Sequence, residues 1–381
     1  MIAVAVAARA AAAIVRWCSL TVAWQNLIHA LPVFGILADL LGFRRVALLG
    51  GVVYGAGLWL ASHSETALGL YTNLGGVVGI GIGLSGMIVV MGAVGQVAPP
   101  ERRSTAFGVV TVAFSIGMFI MAPVLQYLIN LYGWSEALQF SGGLVLIISL
   151  LSLGLPGHSP KIEKSSEPEA ESELTLLKTI NGAMSHSGYL LLNVGFFVCG
   201  FHVAFIGTHL PSFLQSEGIS ISTASWALAM IGLFNMFGSI IFGRMGDSLS
   251  KKNLLSLLYT LRAVVIAGFL AIPLNEITAI AFGAAIGFLW LATVPLTSGI
   301  VAQVFGTRYL STLWAIVFFS HQLGAFLGVW LGGRVYDATG SYTPVWLASI
   351  ALGLLAGIIH LPIREHPWKS PALKMQPSGG D

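Results

Sequence analysis

Charge in this chain is confined to narrow knots between long apolar runs, and that spacing leaves few folds open. Of 381 residues only 9% are charged while 56% are hydrophobic, too little polar surface to cover a soluble globule of this size. Apolar runs at about 11–37, 46–61, 68–97, 105–131 and 137–155 precede a polar stretch, and runs at 189–214, 222–242, 254–272, 277–304, 310–335 and 345–361 follow it. Most approach the roughly 20 residues that a helix needs to cross a bilayer. Lipid leaves the backbone no partner but itself, so the runs read as helices. The expectation is an all-α polytopic membrane protein with about 11 transmembrane helices. Residues 1–15 have the apolar core of a short signal peptide, but one spanning helix from 11 is the simpler account.

The polar stretch 157–186 carries Lys161, Glu163, Lys164, Glu167, Glu169, Glu171, Glu173 and Lys178 among serines and prolines. That composition suits a solvated acidic linker rather than a catalytic run, with 174–180 as a short surface helix. It divides the chain into an N-terminal helical half, 1–156, and a C-terminal half, 187–364, followed by a tail, 365–381. With alternating helices, Arg44, Arg45, Arg102, Arg103, Arg244, Lys251, Lys252, Arg308, Arg364, Lys369 and Lys374 share one side with the linker lysines. The positive-inside rule makes that side the cytoplasm, so the linker and C-terminus are cytoplasmic and the host is a plasma (cell inner) membrane. Arg334 is the main exception. Cys18 and Cys199 both lie in apolar runs and imply no disulfide framework.

The knot at 35–45 reads G-I-L-A-D-L-L-G-F-R-R and is taken as a loop outside the bilayer, with Gly35, Asp39, Gly42, Arg44 and Arg45 as its marks. The same grammar returns 208 positions later as Gly243, Asp247, Ser250, Lys251 and Lys252, with serine in place of the second glycine. A repeat at this distance means two structurally similar halves. The same offset carries 222–242 back onto 14–34, but carries 189–214 onto a segment that begins before residue 1. The counterpart of that helix is missing from the sequence, through an upstream start or as an eleven-helix variant.

These features resemble the major facilitator superfamily: two six-helix halves, a long central loop, and a G-x-x-x-D-x-x-G-x-R-R signature after the second helix of each half. Within it, V-A-W-Q-N-L (22–27), A-P-P-E-R-R-S (98–104), F-V-C-G-F-H-V-A-F-I-G-T-H-L-P (197–211) and F-F-S-H-Q-L-G-A-F-L-G (318–328) are similar to bacterial members of the monocarboxylate-transporter-like branch. The resemblance implies a bundle of two pseudo-symmetric halves whose family count is 12, with the first helix apparently missing here. It also implies a cytoplasmic latch: Asp39 capping the helix that starts near Leu310, with Arg44 and Arg45 pairing with acids across the seam and with lipid phosphates. Plain topogenic charge is the alternative, and the serine-bearing second copy is expected to be the weaker latch.

Polar groups inside the runs are the pathway candidates. Glu65, Glu101, Glu136, Glu217, Glu276 and Asp337 all lie in or beside loops, so any proton carried by the visible chain falls to histidines. His202 and His209 are seven residues apart and share one helix face with Cys199 near it. The family's cavity-lining helices favour a pathway role there, and a histidine bonded to a backbone carbonyl is the alternative. Asn26 and His29, beside Gln25, face Ser320, His321 and Gln322 if the two helices meet across the seam as the family implies. Interhelical polar pairs are worth only about 0.6–2 kcal/mol, weak enough to be remade during transport, though static packing explains them equally.

Arg262 stands near mid-bilayer, where a charge costs at least about 2.5–3.5 kcal/mol. It reads either as a counter-charge for a carboxylate substrate or as a partner of helix-end carbonyls. The monocarboxylate carriers that the chain resembles have an arginine where this sequence offers Asn235 and Ser239. Trp290, Thr297 and Ser298 with Phe196, Phe197 and Phe201 suggest an aromatic lining suited to a larger or amphipathic solute. Glycines at 75, 79 and 83 and at 324, 328 and 332 let backbones approach, for motion or for tight packing.

The reading is a secondary active transporter of a small organic solute, such as a monocarboxylate or amphipathic metabolite, working by alternating access. Its expected partners are that solute, protons and the lipid bilayer, with no nucleic acid, and it works as a monomer. The alternative is a transporter-derived sensor or truncated remnant that binds without flux. No nucleophile–base pair, metal-ligand spacing or phosphate loop followed by lysine is present, so neither an enzyme, a cofactor nor a metal site is expected.

Overall fold

The computed structural model describes residue 28 and residues 30–157 and 169–368, and every regular element among them is helical. In chain order these are α1 (Pro32–Leu41), α2 (Phe43–Ser62), α3 (Ala67–Val97), α4 (Arg103–Tyr132), α5 (Trp134–Leu151), α6 (Glu169–Met184), α7 (Ser187–Ser216), α8 (Ile221–Ser248), α9 (Lys251–Ala271), α10 (Glu276–Leu289), α11 (Thr293–Phe305), α12 (Leu310–Thr339) and α13 (Thr343–His360). Among the described residues ten helical segments are long and apolar enough to cross a membrane, with α10 and α11 counted as one. α1 is the described end of the first apolar run. The first 27 residues lie outside the described ones, and with them the sequence offset's question of a helix upstream.

The signature knot is not a loop. α1 runs through Gly35 and Asp39 to Leu41, Gly42 alone turns the chain at φ 91°, and α2 begins at Phe43. Side chains rarely adopt that backbone, so one glycine replaces a connection. In the second copy α8 runs through Gly243 and Asp247 to Ser248, and Leu249 and Ser250 turn the chain in ordinary extended conformations.

The linker is also more ordered than its composition suggests. α6 covers 16 residues, well beyond the short surface helix expected at 174–180. Its apolar side explains this: Leu176 and Ala183 are buried, and Gly182 lies against the Trp368 ring. Trp368 is itself pinned by its N–H on the Val304 carbonyl at 2.8 Å, so linker and tail dock together on the end of α11.

In the C-terminal half the glycine row of α12 faces α7. A Cβ at Gly324 would stand 1.9 Å from the Phe197 carbonyl oxygen and one at Gly328 2.5 Å from that of Phe201, while Gly200 meets the His321 carbonyl in return. These contacts join two helices of one half, so here the spacing serves tight packing within a unit rather than movement between units. An aromatic cluster around Trp346, with Phe205 at 4.9 Å between centroids and Phe213 at 5.4 Å, fills the same half.

Candidate functional site

The two halves meet at the end of the bundle that carries Arg44, Arg45, Arg102, Arg103, Lys251 and Lys252, and two aspartates cross the seam there. Asp39 at the end of α1 accepts hydrogen bonds from the backbone N–H and the hydroxyl of Thr312, each at 2.8 Å, in the first turn of α12. Asp247 at the end of α8 accepts from the N–H groups of Ser104 at 2.8 Å and Thr105 at 3.1 Å, and from the Thr105 hydroxyl, in the first turn of α4. Helix N-termini leave amides without intrahelical partners and favour negative charge, so each aspartate meets a helix end that accepts it. The acceptors are 208 residues apart, and so are the donors Ser104 and Thr312. Glycines let the helices come close enough: a Cβ at Gly35 would lie 2.3 Å from the Ser311 carbonyl oxygen, and one at Gly243 2.9 Å from that of Ser104.

The basic residues beside the aspartates bond within their own halves instead. Arg44 was expected to reach acids across the seam. Its Nε donates to the Leu155 carbonyl at 3.0 Å, and its N–H faces the Pro156 carbonyl, because carbonyls left over at the end of α5 attract a cation more closely than a distant carboxylate does. Arg45 is exposed. Lys251 Nζ donates to Gln303 Oε1 at 2.7 Å, and Lys252 Nζ to the Leu361 carbonyl at 2.8 Å.

Deeper in the bundle the run at 277–304, expected as one helix, is interrupted. α10 has 14 residues and α11 has 13, with Trp290, Leu291 and Ala292 between them. Pro295 is the local cause: it has no N–H for the Leu291 carbonyl four residues back, and its ring crowds that turn. Every polar group the break frees inside an apolar bundle needs a partner. Arg262 of α9 donates to the Leu289 carbonyl through Nε at 3.1 Å and Nη2 at 2.6 Å, and to the Trp290 carbonyl. Asn235 of α8 accepts the Leu291 N–H on Oδ1 at 2.8 Å and donates from Nδ2 to Ser115 Oγ of α4 at 2.6 Å. The fully buried guanidinium thus caps the negative end of a half-helix, the second of the two readings the sequence left open. Its Nη1 also donates to Cys199 Sγ at 3.3 Å, and that sulfur is 3.3 Å from Thr293 Oγ1 at the start of α11.

The two histidines of α7 are spent on packing in this conformation. His202 Nε2 pairs with the Ser349 carbonyl of α13 at 2.8 Å, and His209 Nε2 with the Val329 carbonyl of α12 at 2.9 Å. Their seven-residue spacing gives a shared face, but that face meets neighbouring helices. His321 and Gln322 are buried and joined, Nδ1 to Oε1, at 3.0 Å. Asn26 and His29 lie outside the described residues. Trp290 is half-buried at the break, and Thr297 is buried on α11. Ser115, Tyr259 and Thr293, which sequence reasoning passed over, all belong to the surroundings of the break. Pro295 and the costly Arg262 were the signals that could have located it.

The sequence profile of the Major Facilitator Superfamily matches residues 3–328 and, again, 192–377. Monocarboxylate transporter 12 of Mus musculus is 26% identical over 366 residues, covering 87% of this chain and 74% of its own. Monocarboxylate transporter 13 of Rattus norvegicus is 28% identical, covering 87% and 76%. Among solved structures, the proton:xylose symporter XylE superposes with a TM-score of 0.71 at 14% identity, over 92% of this chain and 86% of that one, a likeness of fold. Repeat, seam and profile agree, and the chain is a member of the Major Facilitator Superfamily.

Proposed function

We propose that this chain is a secondary active transporter that moves a small organic solute by rocking its two halves, and that the described conformation is the one closed at its basic end. The observation that carries this reading is the reciprocal pair of cross-seam caps, Asp39 on α12 and Asp247 on α4. A contact made of a few hydrogen bonds at helix ends can be broken and remade, and two copies related by the repeat would open together. The basic end faces the cytoplasm on the positive-inside rule, and the transporter works as a monomer. The names of the relatives favour a monocarboxylate as solute. The aromatic lining near Trp290, and an Asn235 already engaged with the break, favour one with an apolar body behind any charge.

Purified protein in liposomes is tested for counterflow of L-lactate, pyruvate and benzoate. The expected result is counterflow of at least one, falling at least tenfold in the D39N/D247N double variant. Binding of these acids to the native protein with no flux for any of them would overturn transport and leave a transporter-derived sensor.

A further inference from the structure

Arg262 places a permanent charge deep in the C-terminal half, and the groups it touches are carbonyls, a thiol and the Tyr259 ring, all neutral in their ordinary protonation states. A lone buried charge is costly and is ordinarily paired. Among the described residues two groups in contact with it can supply a negative charge, Tyr259 and Cys199, and the fully buried Cys199 thiol ionises more readily than a phenol. Around the sulfur stand Thr293 Oγ1 of α11 at 3.3 Å, the Tyr259 hydroxyl of α9 and the His321 imidazole of α12. His321 is 6% exposed, and its buried Nε2 has no hydrogen-bond partner among the described residues, while its Nδ1 is engaged by Gln322 Oε1. An amide oxygen at Nδ1 fixes the hydrogen there in the neutral ring, leaving Nε2 with its lone pair open. The two other histidines of the cluster are committed elsewhere: His202 to the Ser349 carbonyl, and His360 to the Ala356 carbonyl while stacked on Tyr259 at 4.9 Å.

We propose that Cys199 is a protonation site inside the transporter: its thiolate neutralises Arg262, and His321 carries the proton to and from it. In the step, the S–H bond breaks and an Nε2–H bond forms, turning a neutral thiol and imidazole into thiolate and imidazolium. Loss of that Nε2 proton to water leaves a neutral ring beside a neutral Arg262–thiolate pair. Proton coupling without a carboxylate beside Arg262 then has a physical carrier, one that the search for acids and histidines alone misses. Its use in coupling rests on the transport reading; its titration does not.

The test exploits the chain's two cysteines. In full-length Cys18→Ala protein in lipid nanodiscs, Cys199 is the sole thiol, and its S–H stretching band is followed by infrared spectroscopy. An ordinary thiol ionises near about pH 8.5 and keeps its band from pH 5 to 7. The expected band at pH 7 is less than half that at pH 5, Arg262→Lys keeps this loss, and Arg262→Gln restores the band at pH 7. Deuterium exchange of the S–H should slow at least tenfold in His321→Gln. Full band intensity from pH 5 to 8 in the Cys18→Ala protein, with helicity intact by circular dichroism, would overturn the thiolate. An unchanged exchange rate in His321→Gln would overturn the relay. Neither result bears on whether the protein transports a solute.

Discussion

The two cross-seam caps are built to the same plan and finished differently. Asp39 and Asp247 stand at equivalent places in the repeat and each meets the first turn of a helix from the other half. Asp247 accepts from Ser104 and Thr105, and Asp39 accepts from Thr312 with Ser311 beside it, so the second copy, which carries serine where the first has Gly42, engages its helix start as the first does. What the serine changes is the turn. Gly42 alone reverses the chain at φ 91°, while Leu249 and Ser250 share the turn in unstrained conformations. The motif therefore mixes two kinds of information: the aspartate and the first glycine describe the seam, and the second glycine describes only the length of the turn.

The sharpest way to break the comparison is to remove both caps. Losing a helix cap costs about 0.5–2 kcal/mol, so Asp39→Ala and Asp247→Ala should each move the balance between closed and open basic ends by roughly 2- to 30-fold. Spin-label distances across that end report the balance. Two independent pins would give additive effects. A single lock, released as a unit, would show a second substitution adding little to the first, because neighbouring sites in one cooperative contact couple by about 0.5–3 kcal/mol. Coupling near zero would mean that the halves are pinned twice, separately.

Next in size are the first glycines. A methyl at Gly35 would press on a backbone oxygen 2.3 Å away, and one at Gly243 on an oxygen at 2.9 Å, so both helices must shift and the first must shift further. Overpacking of this kind costs about 1–3 kcal/mol. Gly35→Ala is expected to open the basic end more than Gly243→Ala by the same distance measurement. The reverse order would mean that α1 yields more easily than α8, and the seam's tightness would then belong to the second cap.

How much of this was legible beforehand follows from the same residues. Run length and charge placement suffice for the helices, because lipid forbids the alternatives, and the repeat locates the acceptor of each cap before any coordinates. The donors on α4 were less visible: A-P-P-E-R-R-S reads as a basic knot, and its value as a helix start depends on which helix end lies opposite. The break between α10 and α11 was hidden because hydropathy is blind to backbone bonding. Trp290, Leu291 and Ala292 are as apolar as a helix would be, and only Pro295 and the charge on Arg262 betray it. Histidine spacing left two readings open for a related reason, since a shared face says nothing about what the face meets; for His202 it meets the Ser349 carbonyl.

The smallest expected effects on the seam are those of the turn residues, whose cost falls on stability instead. At Gly42 the backbone lies at φ 91°, ψ 142°, where a Cβ is strained, so Gly42→Ala should cost about 1–3 kcal/mol of stability. At Ser250 the backbone lies at φ −61°, ψ 117°, which any residue adopts, and its hydroxyl makes no capping bond, so Ser250→Gly should change stability only by the small entropic penalty of a glycine, roughly 0.5–1 kcal/mol. Thermal unfolding of each variant in detergent measures both. More telling is the seam: if the second glycine serves the turn alone, Ser250→Gly leaves the spin-label distances across the basic end unchanged, even though it restores the motif's lettering. A shift toward the closed state in that variant would show that the glycine acts on the cap, and the serine copy would be the weaker latch after all.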